Sequence, residues 1–427
     1  LSSSISGFYK LSPKDRLSLV KEFAKLTDEE ANLIQSMQGL KLEQADRMIE
    51  NVIGGITLPL GIAVNFLING KDYLIPMALE EPSVVAAASN AARMARKKGG
   101  FQSTCISSEM IGQIQVIDVK APHYARLKLL EYKDEVLQKA NEQDPVLVRL
   151  GGGAKDLQAK VIDTPSGKML IAELIVDCKD AMGANAVNTM AEAVAPLIEN
   201  ITNGKVLLRI ISNLAVRRLV RARAIFDKEI VGGEEVVDGI IKAYHFAYSD
   251  PFRCATHNKG IMNGIVAVGI ATGQDIRALE AGAHSYACRT GRYLPLTTWE
   301  KNEDGDLVGT LEMPMAVGLV GGATAVHPVA KVCIKILGVK TAKELAEIMG
   351  AVGLAQNLAA LRALASEGIQ RGHMKLHARN IAIMAGATGE LVDIVARRMV
   401  EEKRIRFDRA KEIIEELKKS NQNKKYS

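Results

Sequence analysis

IQVIDV (114–119), DLQAKVI (156–162), MLIAELIV (169–176) and KVLLRII (205–211) are four short runs rich in Val, Ile and Leu. That composition suits strands with a buried face. Two stretches with helical spacing, 123–141 and 184–201, separate the first run from the second and the third from the fourth. The order is therefore β-α-β-β-α-β, a ferredoxin-like unit. It occupies 110–216 and interrupts a larger domain made of 1–109 and 217–376. The first hundred residues read mostly as helices. Ser12 stands before Pro13 as a cap, and Leu17, Val20, Phe23 and Leu26 recur at helical spacing. Beyond 216 the chain returns to apolar, glycine-punctuated segments, with Asn302-Glu303-Asp304-Gly305-Asp306 as a turn between two short strands. A last helical pair, 378–402 and 407–419, belongs to a C-terminal flap over 377–427. The fold class is α+β: a large, mainly helical discontinuous domain, an insert, and a helical flap.

The 427 residues suffice for two or three domains. Hydrophobic residues at 48% and charged residues at 24% exclude a disordered or fibrous chain. Aromatics at 4%, with Trp299 the one tryptophan, argue against a stacking platform for single-stranded nucleic acid. The net charge of +6 comes from 55 Lys+Arg against 49 Asp+Glu, and part of it lies in the C-terminal lysines. It fits an anionic small molecule as well as a polyanion. Five scattered cysteines without a CxxC read as reduced thiols, so neither a disulfide framework nor a zinc ribbon is expected. The uncharged stretch 51–70 contains Pro59, three asparagines and four glycines, which argues against a membrane span. No export signal opens the sequence, and the expected location is cytoplasmic.

Familiar nucleotide and hydrolase motifs are absent, and five constellations carry the chemistry. Glu80-Glu81-Pro82-Ser83 precedes a small-residue helix. It is either an acidic first turn that complements the helix dipole or a desolvated carboxylate with a raised pKa, able to donate a proton. Arg253, His257, Asn258, Lys259 and Asn263 crowd into one segment. They form either a solvated loop or a clamp for a carboxylate and an oxyanion. Asp275 in Gly273-Gln274-Asp275 lies 275 − 259 = 16 positions after the lysine. In one straight helix the two would stand about 24 Å apart. Either the chain breaks at Gly260, Gly264 or Gly269, or their partnership comes from folding beyond local reach, or Asp275 is only an N-cap. His373 and His377 share a helical face, but no third ligand accompanies them, so no metal is expected and a single proton donor is the functional alternative to an idle surface histidine. Asp180-Ala181-Met182-Gly183-Ala184-Asn185 follows a strand and opens a helix, where free amides favour a pyrophosphate.

Glu50-Asn51-Val52-Ile53-Gly54-Gly55, Glu81-Pro82-Ser83, Asp180-Ala181-Met182-Gly183-Ala184-Asn185, His257-Asn258-Lys259-Gly260, Gly273-Gln274-Asp275 and Gly372-His373-Met374, in that order, resemble the hydroxymethylglutaryl-coenzyme A reductases of the soluble class II. The resemblance implies interconversion of hydroxymethylglutaryl-CoA and mevalonate plus coenzyme A by two successive hydride transfers, with two nicotinamide cofactors used per turnover. It implies that Lys259 stabilises the oxyanion, Asp275 orients it, Glu81 is the general acid and His373 protonates the coenzyme A thiolate. By the same matching, Ser83, Arg253 and Asn263 hold the substrate, and Asp144, Asp180, Met182, Gly183, Asn185 and Asn213 line the dinucleotide. The large domain would then bind substrate and coenzyme A, and 110–216 the dinucleotide. Asp144, placed just before a strand-like run at 147–150, accepts from a free 2′-hydroxyl and repels a 2′-phosphate, which points to NAD(H), with NADP(H) the alternative. The 50–55 segment implies a homodimer or a multimer of dimers. A coenzyme A thioester lyase or hydrolase would share the clamp but need no dinucleotide. An oligomeric polyanion-binding protein would need neither and would bind with strong salt dependence.

Overall fold

The computed structural model describes residues 2–366 and 370–423, with the side chains of 370–376 and 418–423 outside the description. Three helices, α1 (Pro13–Ala24), α2 (Asp28–Gln35) and α3 (Leu42–Ala45), precede strands β1 (Leu60–Ile68) and β2 (Lys71–Ala78). As expected, Ser12 caps α1, accepting from the Asp15 amide. The hairpin β1–β2 was not legible as such, because its buried faces make 51–70 read as one apolar run. The turn Asn69-Gly70, with φ of 51° and 76°, carries the signature of a tight hairpin loop. Next come α4 (Val84–Arg96) and β3 (Phe101–Cys105).

The insert follows: β4 (Glu109–Ile117), α5 (Pro122–Glu131), α6 (Lys133–Asn141), α7 (Pro145–Arg149), β5 (Gly153–Thr164), β6 (Gly167–Asp177), α8 (Ala184–Thr202) and β7 (Lys205–Ser212). Its sheet runs β5-β6-β4-β7, antiparallel throughout. Helices α5, α6 and α8 share with it one core that includes Ile114, Leu129, Val136, Leu174 and Val194. Two details differ from the sequence reading. The helical stretch 123–141 is broken at Tyr132, and 147–150 lies not in a strand but in and after the short helix α7, started by Asp144 and Pro145.

The remaining chain gives β8 (Leu219–Phe226), α9 (Lys228–Val231), α10 (Glu234–Ser249), α11 (Pro251–Ala271), α12 (Ile276–Ala287), β9 (Thr297–Lys301), β10 (Leu307–Pro314), α13 (Gly322–Val326), α14 (Pro328–Leu337) and α15 (Ala342–Ala365). Strands from both sides of the insert build one six-stranded sheet, β2-β1-β3-β8-β10-β9. The part outside the insert is therefore mainly helical, as expected, with its helices packed on this one sheet. Helix α15 is long and apolar enough to cross a membrane, but it is buried at the centre of this core with Val352, Leu354, Leu358 and Leu361. Each such side chain contributes about 1.5–3 kcal/mol when removed from water.

Among its described residues the C-terminal segment holds three helices instead of the expected two: α16 (Gln370–Met384), α17 (Glu390–Glu401) and α18 (Phe407–Asn423). Gly386, at φ 99°, ends the first of them. Their core, including Ala378, Val395, Met399 and Ile413, is separate from the others.

Candidate active site

Helix α11 starts where Asp250 accepts from the Arg253 amide at 2.8 Å and Pro251 takes the first helical position. It continues without a break through Gly260, Gly264 and Gly269. Gly264 and Gly269 serve close packing, while Gly260 faces open space: a Cβ on Gly264 would meet Val352 of α15 at 3.0 Å, and one on Gly269 would meet Ile276 at 3.2 Å. The crowded polar segment is thus not a loop but a helix with two faces. His257 and Asn258 are buried, whereas Lys259 is exposed and Asn263, one turn on, is half-buried. His257 contacts Thr297 Oγ1 at 2.7 Å, and Asn258 ties the helix to Leu294 and Leu296.

Lys259 Nζ donates to Glu81 Oε2 at 2.8 Å, joining residues 178 positions apart. The acidic-first-turn reading of Glu80 and Glu81 fails, since α4 starts only at Val84 and holds no acid in its first turn. The desolvation expected for Glu81 is also not found. Its side chain is 36% exposed and that of Lys259 58%. Ser83 occupies the cap position of α4 at φ 75°, a strained conformation for a non-glycine residue, and its hydroxyl makes no capping bond. Arg253 is half-buried, and burial lowers its pKa from the usual arginine range.

Asp275 is not at Lys259 in the same chain. From Lys259 to the end of α11 the axis runs about 18 Å. Asp275 then caps α12, accepting from the Arg277 and Ala278 amides at 3.1 Å each. The neighbouring Gln274, which sequence reasoning quoted without a role, donates to the Gly318 carbonyl at 2.9 Å and accepts from its amide at 2.8 Å. A largely apolar groove of about 1810 Å³ runs from this turn past the first turns of α4 to the N-terminal arm. The side chain of His373 lies outside the described residues; that of His377 is exposed. Among the described residues no cluster of three metal-ligating side chains occurs.

The loop between β6 and α8 holds Asp180, Met182 and Gly183. Gly183 sits at φ 113° against Cys178, and no side chain caps α8, whose second residue is Asn185. Asp180 Oδ1 accepts from the Ala342 amide at 2.8 Å, which binds this loop to the start of α15. A second segment, missed in the sequence, runs beside it. Leu319 N donates to the Asp180 carbonyl at 2.8 Å, Ala181 and Val320 form a parallel bridge, and Gly321 and Gly322 face open space. Its signal was the glycine run 318–322. Asn213 lies between β7 and β8, its carbonyl accepting from Ala215 N. Asp144 accepts from the Leu147 amide at 2.9 Å as the cap of α7. Free amides, exposed glycine backbone and an acid at a helix start suit a dinucleotide.

The profile of the family described as Hydroxymethylglutaryl-coenzyme A reductase matches residues 12–378. The chain is 67% identical over 418 residues to 3-hydroxy-3-methylglutaryl-coenzyme A reductase of Archaeoglobus fulgidus, covering 98% of this chain and 95% of that one. It is 35% identical to the probable enzyme of that name from Borreliella burgdorferi, with 88% of each chain covered. The fold superposes on 3-hydroxy-3-methylglutaryl-coenzyme A reductase from Streptococcus pneumoniae with a TM-score of 0.83 and 40% identity, covering 96% of this chain and 99% of that one. A class II structure from the same organism, bound to NADPH in open conformations, gives a TM-score of 0.82 and 41% identity over 84% and 99%.

Proposed function

The chain belongs to the hydroxymethylglutaryl-coenzyme A reductase family, class II, and from that premise we propose how its own residues carry out the reduction. The observation that carries the reading is the Lys259–Glu81 contact at 2.8 Å. Two reduced nicotinamide dinucleotides, bound in succession, would supply one hydride each. Lys259 stabilises the oxyanion that forms at the thioester carbonyl, where a fixed ammonium is most effective as charge develops. Collapse of that oxyanion expels the coenzyme A thiolate, and His373 gives the thiolate its proton. Glu81 then delivers a proton to the aldehyde oxygen as the second hydride arrives, with Lys259 holding the acid in place. Arg253 pairs with the free carboxylate of the substrate, while Ser83, whose hydroxyl α4 leaves unused, and Asn263 hold its polar end.

Asp180, Met182, Gly183, Asn185 and Asn213 line the dinucleotide within 110–216, and substrate and coenzyme A lie on the part built from 1–109 and 217–376. The C-terminal segment from 377 closes over them and brings His373 to the thiolate. Asp275 reaches Lys259 from a second subunit. The exposed Ile53 and Ile56 favour such a homodimer, since a monomer leaves both in water.

We assign NAD(H) as the cofactor through Asp144, whose carboxylate at the start of α7 accepts from a 2′-hydroxyl. The NADPH-bound Streptococcus pneumoniae structure favours NADP(H) as the second reading. One assay tests both levels: turnover of hydroxymethylglutaryl-CoA with NADH and with NADPH, for the wild type, Lys259→Ala and Asp144→Ala. Lys259→Ala is expected to lower kcat by about 10²–10³ with little change in KM. The wild type is expected to prefer NADH and Asp144→Ala to lose that preference. Wild-type preference for NADPH overturns the cofactor assignment alone; full activity of Lys259→Ala overturns the mechanism.

A further inference from the structure

Arg218, just before β8, is 1% exposed, and the hydrogen bonds of its guanidinium all go to main-chain carbonyls. Nη1 donates to Ala181 at 2.9 Å and Met182 at 3.1 Å. Nη2 donates to Val317 at 2.6 Å, with a long contact to Lys179 at 3.5 Å. A buried cation without a carboxylate in hydrogen-bond contact is costly, and main-chain oxygens repay that cost only when they are held in a fixed arrangement. Here they belong to two segments that meet in a backbone seam. Ala181 bridges to Val320, and a Cβ on Gly318 would meet Met182 N at 2.5 Å, so the segments pack main chain to main chain. The fork of Arg218 grips carbonyls on both sides of that seam. Because a peptide unit is planar with its C=O and N–H opposed, turning the Met182 carbonyl inward to Arg218 turns the Gly183 amide to the opposite side.

We propose that Arg218 is a positioning residue for the dinucleotide: it fixes the 180–183 loop against the 317–320 segment so that the Gly183 amide and the first turn of α8 are set for the pyrophosphate before it binds. The inference rests on the reading of 180–185 as the dinucleotide site. Lysine keeps the charge but lacks the planar fork, so the arrangement needs arginine.

The test measures NADH and NADPH dissociation constants by nicotinamide fluorescence, together with separate KM values and kcat, in Arg218→Lys, Gly318→Ala and Asn185→Ala. Arg218→Lys is expected to raise the dinucleotide Kd and KM about tenfold or more, the equivalent of one lost charge-assisted hydrogen bond. KM for hydroxymethylglutaryl-CoA and kcat at saturating cofactor are expected to stay within about twofold. A folded Arg218→Lys protein with wild-type dinucleotide affinity, or with equal losses for both substrates, overturns the proposal. Should that variant not fold, Gly318→Ala, which presses on the same seam from the other side, decides by the same criteria. If Asn185→Ala leaves dinucleotide affinity untouched, the loop is not the cofactor site and the underlying reading falls with it; if Asn185→Ala weakens binding and Arg218→Lys does not, only the role of Arg218 falls.

Discussion

Two residues apart on one helix turn, His257 and Lys259 have opposite environments, and the difference sorts structure from chemistry. The Thr297 hydroxyl donates to Asn357 Oδ1 at 2.8 Å, so it accepts from His257 Nε2–H, and Nδ1 has no partner among the described residues. Burial, helped by the charge of Arg253, pushes the His257 pKa down to about 3 from 6.5. A folded-state value below the unfolded one means that this histidine contributes stability fully above about pH 6.5 and loses that contribution as pH falls towards 3. Urea midpoints measured at pH 7 and pH 4.5 are expected to fall more steeply in wild type than in His257→Gln, a difference on the order of 2 kcal/mol. Equal slopes remove the assignment of a neutral buried histidine. The sequence showed the cluster of polar residues at 253–263, but which of them face the core depends on helix phase, and the run of glycines obscured it.

At the scale of elements, the apolar runs of the insert were legible because each strand carries its own apolar pattern and is bounded by turns. The hairpin β1–β2 was not, since buried on both sides it has no alternation. Nor was the early end of α16, which depends on a single positive-φ glycine. Sheet packing also leaves its own test. Gly309 on β10 lies opposite Trp299 on β9, and a Cβ there would meet the indole at 2.4 Å. That ring is held by its Nε1 donating to Asn357 at 2.8 Å and cannot retreat without losing the bond. Gly309→Ala is expected to cost about 1–3 kcal/mol by chemical denaturation; a neutral result shows that the ring has room to shift.

For the whole molecule, the placement of residues along α11 sets the question of assembly. Lys259 meets Glu81 in the middle of the helix, and Asp275 stands beyond its C-terminal end. If the site is completed across subunits, mixing Lys259→Ala with Asp275→Ala chains rebuilds one intact site in each mixed dimer. Random exchange is expected to recover about a quarter of wild-type activity, whereas a site within one chain recovers none. Sequence by itself determined the family, the order of the insert's elements, and the residue types able to stabilise an oxyanion, move protons and hold a pyrophosphate, because these depend on local pattern and side-chain chemistry. Tertiary structure alone decided that Glu81 meets Lys259, that α11 runs unbroken and keeps Asp275 away, and that Arg218 clasps the 180–183 loop. Contacts across 178 positions, like the choice of which arginine is buried, are set by packing that no local window contains.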